Sequence, residues 1–371
     1  MAIGPAPSAD GAQDMRLLLD QAGRMRHRSA HDIGYPVSLD ADFRAFGPLL
    51  DTLWIAIGDP EDPDPTRNCR QPFEREVVRF LARLAGADPD RTYGYVAAGG
   101  SEGNLFGLHL GRERLPDAPL YHSDAAHHSV VRAARLLRME TVRLPSRRDG
   151  SLDTDALHRA AARCPGRGAV VAATVGTTML GGVDDLPAVR AALRPAGEHH
   201  LHVDAALGGL VAALGPTTLP WAFEAGADSV TVSGHKLLGI PLPCAVVLAR
   251  AELLPGSSSG DYLGADDRTL ACSRNGLTPV MLWYQLRRHG TDGLRTRIRR
   301  CLDVAAHAEH RLAALGRRPW RHPASLTVVF DRPAAKVCLR WHLATSGGRA
   351  HLVAMPHVTR TTIDALCRDL A

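Results

Sequence analysis

"SVTVSGHKLLG", residues 229–239, decides how this chain reads. Its first half, Ser229 to Ser233, carries β-branched valines and a threonine between small residues and stops at a glycine, the pattern of a short buried strand. Its second half holds Lys236, one of two lysines in 371 residues; the other is Lys336, and the remaining 42 of the 44 cationic Lys and Arg residues are arginine. Arginine supplies surface charge as well as lysine does. A guanidinium, however, stays protonated and cannot condense with an aldehyde, whereas a primary amine can. An amine kept directly after a buried strand, in a chain that otherwise uses arginine, makes Lys236 a candidate nucleophile.

Around that strand the same texture repeats. "YGYVAAGG" (93–100), "AVVAATVG" (169–176), "LHVDAA" (201–206) and "CAVVLAR" (244–250) are further buried-strand candidates. Amphipathic stretches lie among them, including "EREVVRFLARLAG" (74–86), which closes on Gly86, and "SEGNLFGLHLGRERL" (101–115), which follows its strand directly. Strands alternating with helices predict βαβ units, hence an α/β fold on a mainly parallel sheet. From about residue 290 the texture changes to an Arg-rich helix, then "SLTVVF" and "AKVCLRW", read as short strands, and a last helix. The organisation expected is an N-terminal segment (1–60), a large domain (61–290) and a small C-terminal α+β domain (291–371). Roughly the first 15 residues read as a disordered lead, with helical or extended chain after them.

Composition narrows the function classes. A hydrophobic fraction of 45% and a charged fraction of 22% are those of a globular protein. No stretch reaches the roughly 18 uncharged apolar residues of a membrane span, and "MAIGPAPSADGAQD" lacks the features of a signal peptide, so a cytoplasmic protein is expected. The net charge is +5, but the arginines are scattered among acidic residues instead of forming a stripe, which argues against nucleic acid as a partner. Seven cysteines, at 69, 164, 244, 272, 301, 338 and 367, form no CxxC pair and read as reduced thiols.

Open parallel sheets bind ligands beyond the carboxyl ends of their strands. Four such ends carry chemistry here. Gly99-Gly100-Ser101-Glu102-Gly103 turns from strand to helix and offers a phosphate cradle, or simply a helix cap. Thr177 and Thr178 follow "AATVG". Asp204 ends an apolar strand, where a carboxylate needs a cation: a protonated ring nitrogen, or an arginine in an ordinary ion pair. His202, two residues earlier, shares that strand face and is placed to orient Asp204. His199, His200, His202 and Asp204 also read as a metal set, but no second cluster with ligand spacing accompanies them, and no metal is expected. His127 and His128, in "YHSDAAHHSV", offer a ring to stack on an aromatic cofactor, or a cap. An amine, a strand-end acid, a phosphate turn and a histidine loop are together what pyridoxal 5'-phosphate requires.

The stretches "YGYVAAGGSEGNLFGLHLGRE", "HSDAAHHSV", "TVGTTMLGGVDDL", "HVDAALGG", "SVTVSGHKLLGIPLPC", "SRNGLTPVMLW" and "AHLVAMPHVT" resemble the group II pyridoxal-phosphate-dependent amino-acid decarboxylases, nearest the branch with bacterial histidine decarboxylase and plant serine decarboxylase. The resemblance implies a fold-type I, aspartate-aminotransferase-like architecture: a seven-stranded, mainly parallel sheet flanked by helices. It also implies a homodimer with active sites at the interface. The activity implied is decarboxylation of an L-amino acid to its amine and carbon dioxide. The alternatives are another reaction of the same cofactor fold, or a catalytically degenerate cofactor-binding protein. By the same resemblance Lys236 would carry the cofactor as a Schiff base, Asp204 would pair with the ring nitrogen, and His127 would stack on the ring opposite Ala206. Gly100, Ser101, Ser233 and His235 would hold the phosphate, with Thr178 near the ring hydroxyl. Ile55, Ala56, Asp59, Tyr262 and Ser273 would border the substrate. Lys236, His127 and Tyr262 remain alternatives as donor of the proton to the α-carbon. Here the sequence departs from the family: "IAIGDP" has Ile55 and Ala56 where asparagines are usual, and "NGLTP" replaces the common "NGH" form.

Overall fold

A computed structural model describes residues 11–29, 31–61, 71–256, 258–259 and 266–371. Strands β1 (Ile55–Ile57), β2 (Thr92–Ala97), β3 (Leu120–Ser123), β4 (Thr141–Leu144), β5 (Ala169–Thr174), β6 (His199–Asp204), β7 (Ser229–Ser233) and β8 (Ala245–Arg250) come first. After them come the short β9 (Ser258–Ser259), β10 (Asp266–Asp267) and β11 (Ser273–Asn275), then β12 (Thr327–Asp331), β13 (Ala344–Ser346) and β14 (Arg349–Val353). The helices are α1 (Gly11–Ser29), α2 (Gln71–Leu84), α3 (Gly100–Arg114), α4 (His128–Leu136), α5 (Thr154–Ala161), α6 (Leu186–Ala192), α7 (Gly208–Leu214), α8 (Leu277–Ala314), α9 (Ala335–Arg340) and α10 (Arg360–Leu370).

Seven strands form the central sheet in the order β2-β8-β7-β6-β5-β3-β4. β8 runs antiparallel to both neighbours, and every other pairing is parallel. This is the mainly parallel α/β sheet that the strand-and-helix alternation predicts, with the seven strands that the family resemblance implies. Register puts Thr174 beside Asp204 and Asp204 beside Thr231, so the carboxyl ends of β5, β6 and β7 form one rim. The strands are apolar on both faces because both are covered. Along β5, Ala169, Val171 and Ala173 enter the main core, while Val170 and Ala172 pack in a second cluster with Leu108 of α3 and Val130, Ala133 and Ala134 of α4.

α3 lies unusually close to the sheet, and glycine permits it. A Cβ on Gly103 would come 2.6 Å from Thr231, one on Gly107 2.0 Å from His202, and one on Gly111 2.9 Å from Val170. Spaced four apart, these glycines form one stripe on the helix. With that stripe the backbone settles onto β6 and β7, bringing the first turns of α3 to the rim.

Two local expectations need correction. "AKVCLRW" alternates like a strand but forms α9: Val337 and Trp341 are buried one helical turn apart, while Leu339 between them is 75% exposed. Residues 11–15, expected in a disordered lead, open α1, whose first turn carries Asp14 at the favourable end of the helix dipole. β12, β14 and β13 make a separate antiparallel sheet. The long α8 breaks its helical dihedrals at Gly290 (φ 58°). No helix among the described residues is long and apolar enough to cross a membrane.

Candidate active site

The rim of the sheet opens into a cavity of about 470 Å³. Gly100, Ser101, His127, Thr178, Asp204, Ala206, Ser233, His235 and Lys236, drawn from separate loops along the sheet, all line it. Asn104, Thr174 and Pro243, which the sequence did not single out, line it too.

At one end α3 begins. Gly100 sits where a Cβ would come 3.2 Å from Ser233 Oγ and 3.8 Å from Ala206 Cβ, so a larger residue would fill the cradle. The hydroxyls of Ser233 and Thr174 are buried without a hydrogen-bond partner. The orphaned Ser233 hydroxyl beside the N-terminus of a fifteen-residue helix suits an anion such as a phosphate. His235 is tethered beside it, its Nδ1 2.8 Å from the Cys244 carbonyl oxygen. Burial lowers its pKa, against the pull of that carbonyl.

The amine and the acid line the same cavity. Burial pushes the Lys236 pKa down, with the Asp204 charge opposing, so the amine is shifted toward its nucleophilic neutral form. Asp204, 5% exposed, receives the side-chain amide of Asn104 on Oδ2 (2.8 Å) and the Ala206 backbone N–H on Oδ1 (3.2 Å). Among the described residues no arginine or lysine pairs with it, so the ordinary ion pair is not what holds this carboxylate. An acceptor without a cation, facing a cavity, suits a protonated ring nitrogen.

His127 caps α4: its Nδ1 lies 2.8 Å from Ser129 Oγ and 3.3 Å from the Ser129 backbone nitrogen. Burial lowers its pKa, and Asp204 pulls the other way. His202 reaches Asp204 through Asn104 and not directly: its Nε2 is 3.0 Å from Asn104 Oδ1 and its Nδ1 2.9 Å from Ser229 Oγ. Burial pushes the pKa of His202 down to about 3 and that of His200 to about 4. His200 Nε2 is also taken up by Ser229 Oγ (3.2 Å), and His199 Nδ1 by the Gly197 carbonyl (3.2 Å). Among the described residues no group of histidine, cysteine or carboxylate side chains is arranged to hold a metal ion. Thr178 rides on a loop that Thr177 braces by accepting the Gly182 N–H at 2.8 Å.

Ile55, Ala56, Asp59 and Ser273 do not line the cavity within one chain. β1 pairs with β11, setting Ala56 opposite Arg274 and Ile57 opposite Ser273. Ile55 faces outward and Ala56 inward. Asp59 is buried against Arg268 at 3.0 Å, and burial raises its pKa despite that pairing. Tyr262 falls outside the described residues. Sequence reasoning missed the anchor of this ladder: the buried ion pair of Arg274 with Glu74, in which Arg274 also donates to the Gly58 carbonyl (3.1 Å) and lies over the Tyr95 ring.

Comparison with known proteins adds what geometry alone does not. The conserved domain of pyridoxal-dependent decarboxylases matches residues 111–338. The histidine decarboxylase of Mesorhizobium japonicum is 38% identical over 362 residues, covering 97% of this chain and 98% of that one. Serine decarboxylase 2 of Oryza sativa subsp. japonica is 34% identical over 363 residues, covering 96% and 77%. Among solved structures, an L-methionine decarboxylase from Streptomyces sp.590 superposes with a TM-score of 0.85 at 25% identity, covering 100% of this chain and 98% of that one. A sphingosine-1-phosphate lyase from Burkholderia pseudomallei, at 18% identity and a TM-score of 0.84 over 100% and 92%, shares the fold.

Proposed function

This chain belongs to the pyridoxal-dependent decarboxylases and converts an amino acid to its amine and carbon dioxide with pyridoxal 5'-phosphate, and we propose that Lys236, Asp204 and His127 carry that reaction. When bound, the cofactor supplies an aldehyde that captures an amine and a ring that accepts the electron pair left as carbon dioxide departs. Lys236 would be the amine that holds the cofactor's aldehyde. Asp204 would accept the N–H of the ring nitrogen and keep that proton in place, which would preserve the ring's capacity to accept electrons. His127 would support one face of the ring and Ala206 the other, both lining the cavity. Gly100, Ser101, Ser233 and His235 would hold the phosphate, and Thr178 would serve the ring hydroxyl.

The observation that carries this reading is the pairing, in one cavity, of a lysine shifted toward neutrality with a carboxylate that has no cationic partner among the described residues. L-histidine is the substrate we put first, because relatives 37–38% identical to this chain are histidine decarboxylases. Ile55 and Ala56, apolar where the resembled family carries asparagines, are the residues we expect to shift that preference. Incubating the holoenzyme with a panel of amino acids, and measuring carbon dioxide and amine together, tests both points. Release of aldehyde and ammonia in place of amine would favour a different reaction of the same cofactor.

We propose a homodimer in the cytoplasm. α1 has no buried residue, yet it exposes Met15, Leu17, Leu18, Leu19 and Met25, and Leu50, Leu53, Ile55 and Ile57 are exposed as well. A helix of that kind gains its stability from a partner surface, and a second copy supplies one. Light scattering of the holoenzyme tests the stoichiometry. The six described cysteines are free thiols, in keeping with a reducing compartment.

A further inference from the structure

We infer that Asn104 is a positioning residue that joins Asp204 to His127 through Ser129 and fixes the proton arrangement at both ends. This rests on the roles proposed above for Asp204 and His127. Asn104 is 1% exposed, and its amide is fully engaged: Nδ2 donates to Asp204 Oδ2 (2.8 Å) and to Ser129 Oγ (2.9 Å), while Oδ1 faces His202 Nε2 (3.0 Å).

The direction of each bond follows from one fact. A carboxylate only accepts, so the amide nitrogen of Asn104 must face Asp204 and its oxygen must face His202. His202 therefore carries its proton on Nε2, and its Nδ1 accepts the Ser229 hydroxyl at 2.9 Å. On the other side Ser129 Oγ receives an Asn104 hydrogen and turns its own toward Nδ1 of His127, 2.8 Å away; the Ser129 backbone N–H points to the same nitrogen. Nδ1 of His127 is thus an acceptor, and the proton of the neutral ring sits on Nε2, the nitrogen left for the cavity. The charged and titratable groups that face His127 are Asp204 on β6, Lys236 after β7, and His128 and Arg132 on α4. Those groups bias its charge, whereas Ser129 selects its tautomer.

The test uses holoenzyme loaded with pyridoxal 5'-phosphate, as wild type and as Asn104→Ala, Ser129→Ala and Ser129→Thr. Isotope-labelled histidine nitrogen spectra, with the His127 signals assigned by their loss in His127→Gln, should show a bare Nδ1 and a protonated Nε2 in the wild type. Ser129→Ala should mix the two tautomers, and Ser129→Thr should restore one. Asn104→Ala should shift the pH midpoint of the cofactor's visible band and weaken cofactor binding about tenfold, the worth of one hydrogen bond to a charged group. Ser129→Ala should leave cofactor affinity within about threefold, because it spares the bond to Asp204. A proton on Nδ1 of His127 in the wild type, an unchanged tautomer in Ser129→Ala, or a folded Asn104→Ala with wild-type midpoint and affinity would each overturn the inference. Should Asn104→Ala not fold, the wild-type and Ser129→Ala spectra decide it. A wild type that takes up no cofactor would overturn the reading beneath it as well.

Discussion

Gly107 of α3 and His202 of β6 meet where no side chain fits: a Cβ on Gly107 would lie 2.0 Å from Nδ1 of His202. The contact fixes how closely α3 approaches the sheet, and thereby where Ser101 and Asn104 stand at the rim. Gly107→Ala should cost about 1–3 kcal/mol by overpacking and should also weaken cofactor binding, because the helix that carries the cradle must lift. Urea unfolding and cofactor titration of the variant measure both effects. Wild-type values in both would mean that the close approach is not needed.

The Arg274–Glu74 pair ties β11 and the turn at Gly58 to α2 and β2. Arg274→Ala strands a buried carboxylate and should cost about 3–5 kcal/mol. An apolar replacement of both partners, Arg274→Met with Glu74→Leu, should cost less than the single change, since no unpaired charge remains. Equilibrium unfolding of the single and double variants makes the comparison. A double variant less stable than Arg274→Ala would contradict it.

His202 and His200 are held neutral in the folded protein, with pKa values near 3 and 4, while in the unfolded chain they take up protons near 6.5. Their contribution to stability is therefore complete above pH 6.5 and is lost as the pH falls toward 4 and 3, on the order of 5 kcal/mol for His202 by linkage. His202→Gln should lower stability at pH 7.5 and flatten the decline between pH 6.5 and 4.5. Urea midpoints across that range read the slope directly. An equal slope in wild type and variant would rule out His202 as its source.

Asp204→Asn keeps the size of the side chain and an oxygen for Asn104, but removes the charge that the ring nitrogen needs. Turnover should fall more than about 100-fold while the melting temperature moves only a few degrees. Steady-state rates and thermal melts of the holoenzyme check it. Near-normal turnover would reject the role.

Much of this was legible in the sequence. The buried strands ending at Ala97, Thr174, Asp204 and Ser233 announced themselves by short runs with β-branched or apolar residues closing on small ones, and the rule that ligands sit at strand ends led to the cavity-lining residues. The antiparallel direction of β8 was not legible, because a strand buried on both faces reads the same either way. "AKVCLRW" misled because Leu339 is apolar yet exposed, which completes a false alternation. The glycine stripe was visible as a four-residue spacing at 103, 107 and 111, but helical glycine invites a reading of weakness before one of close packing. Asn104 and Asp204 stand 100 residues apart, and Arg274 and Glu74 200 apart, so only folding brings their polar atoms together.

The scarcity of lysine allows a direct test of the site. Borohydride reduction of the holoenzyme followed by peptide mapping locates the side chain that holds the cofactor, and the chain has two lysines: Lys236 in the cavity and Lys336, exposed on α9. The reduced cofactor should appear on the peptide containing Lys236, with loss of the visible band in Lys236→Ala. Cofactor on Lys336, or a band that survives Lys236→Ala, would contradict the assignment of Lys236 as the cofactor's amine.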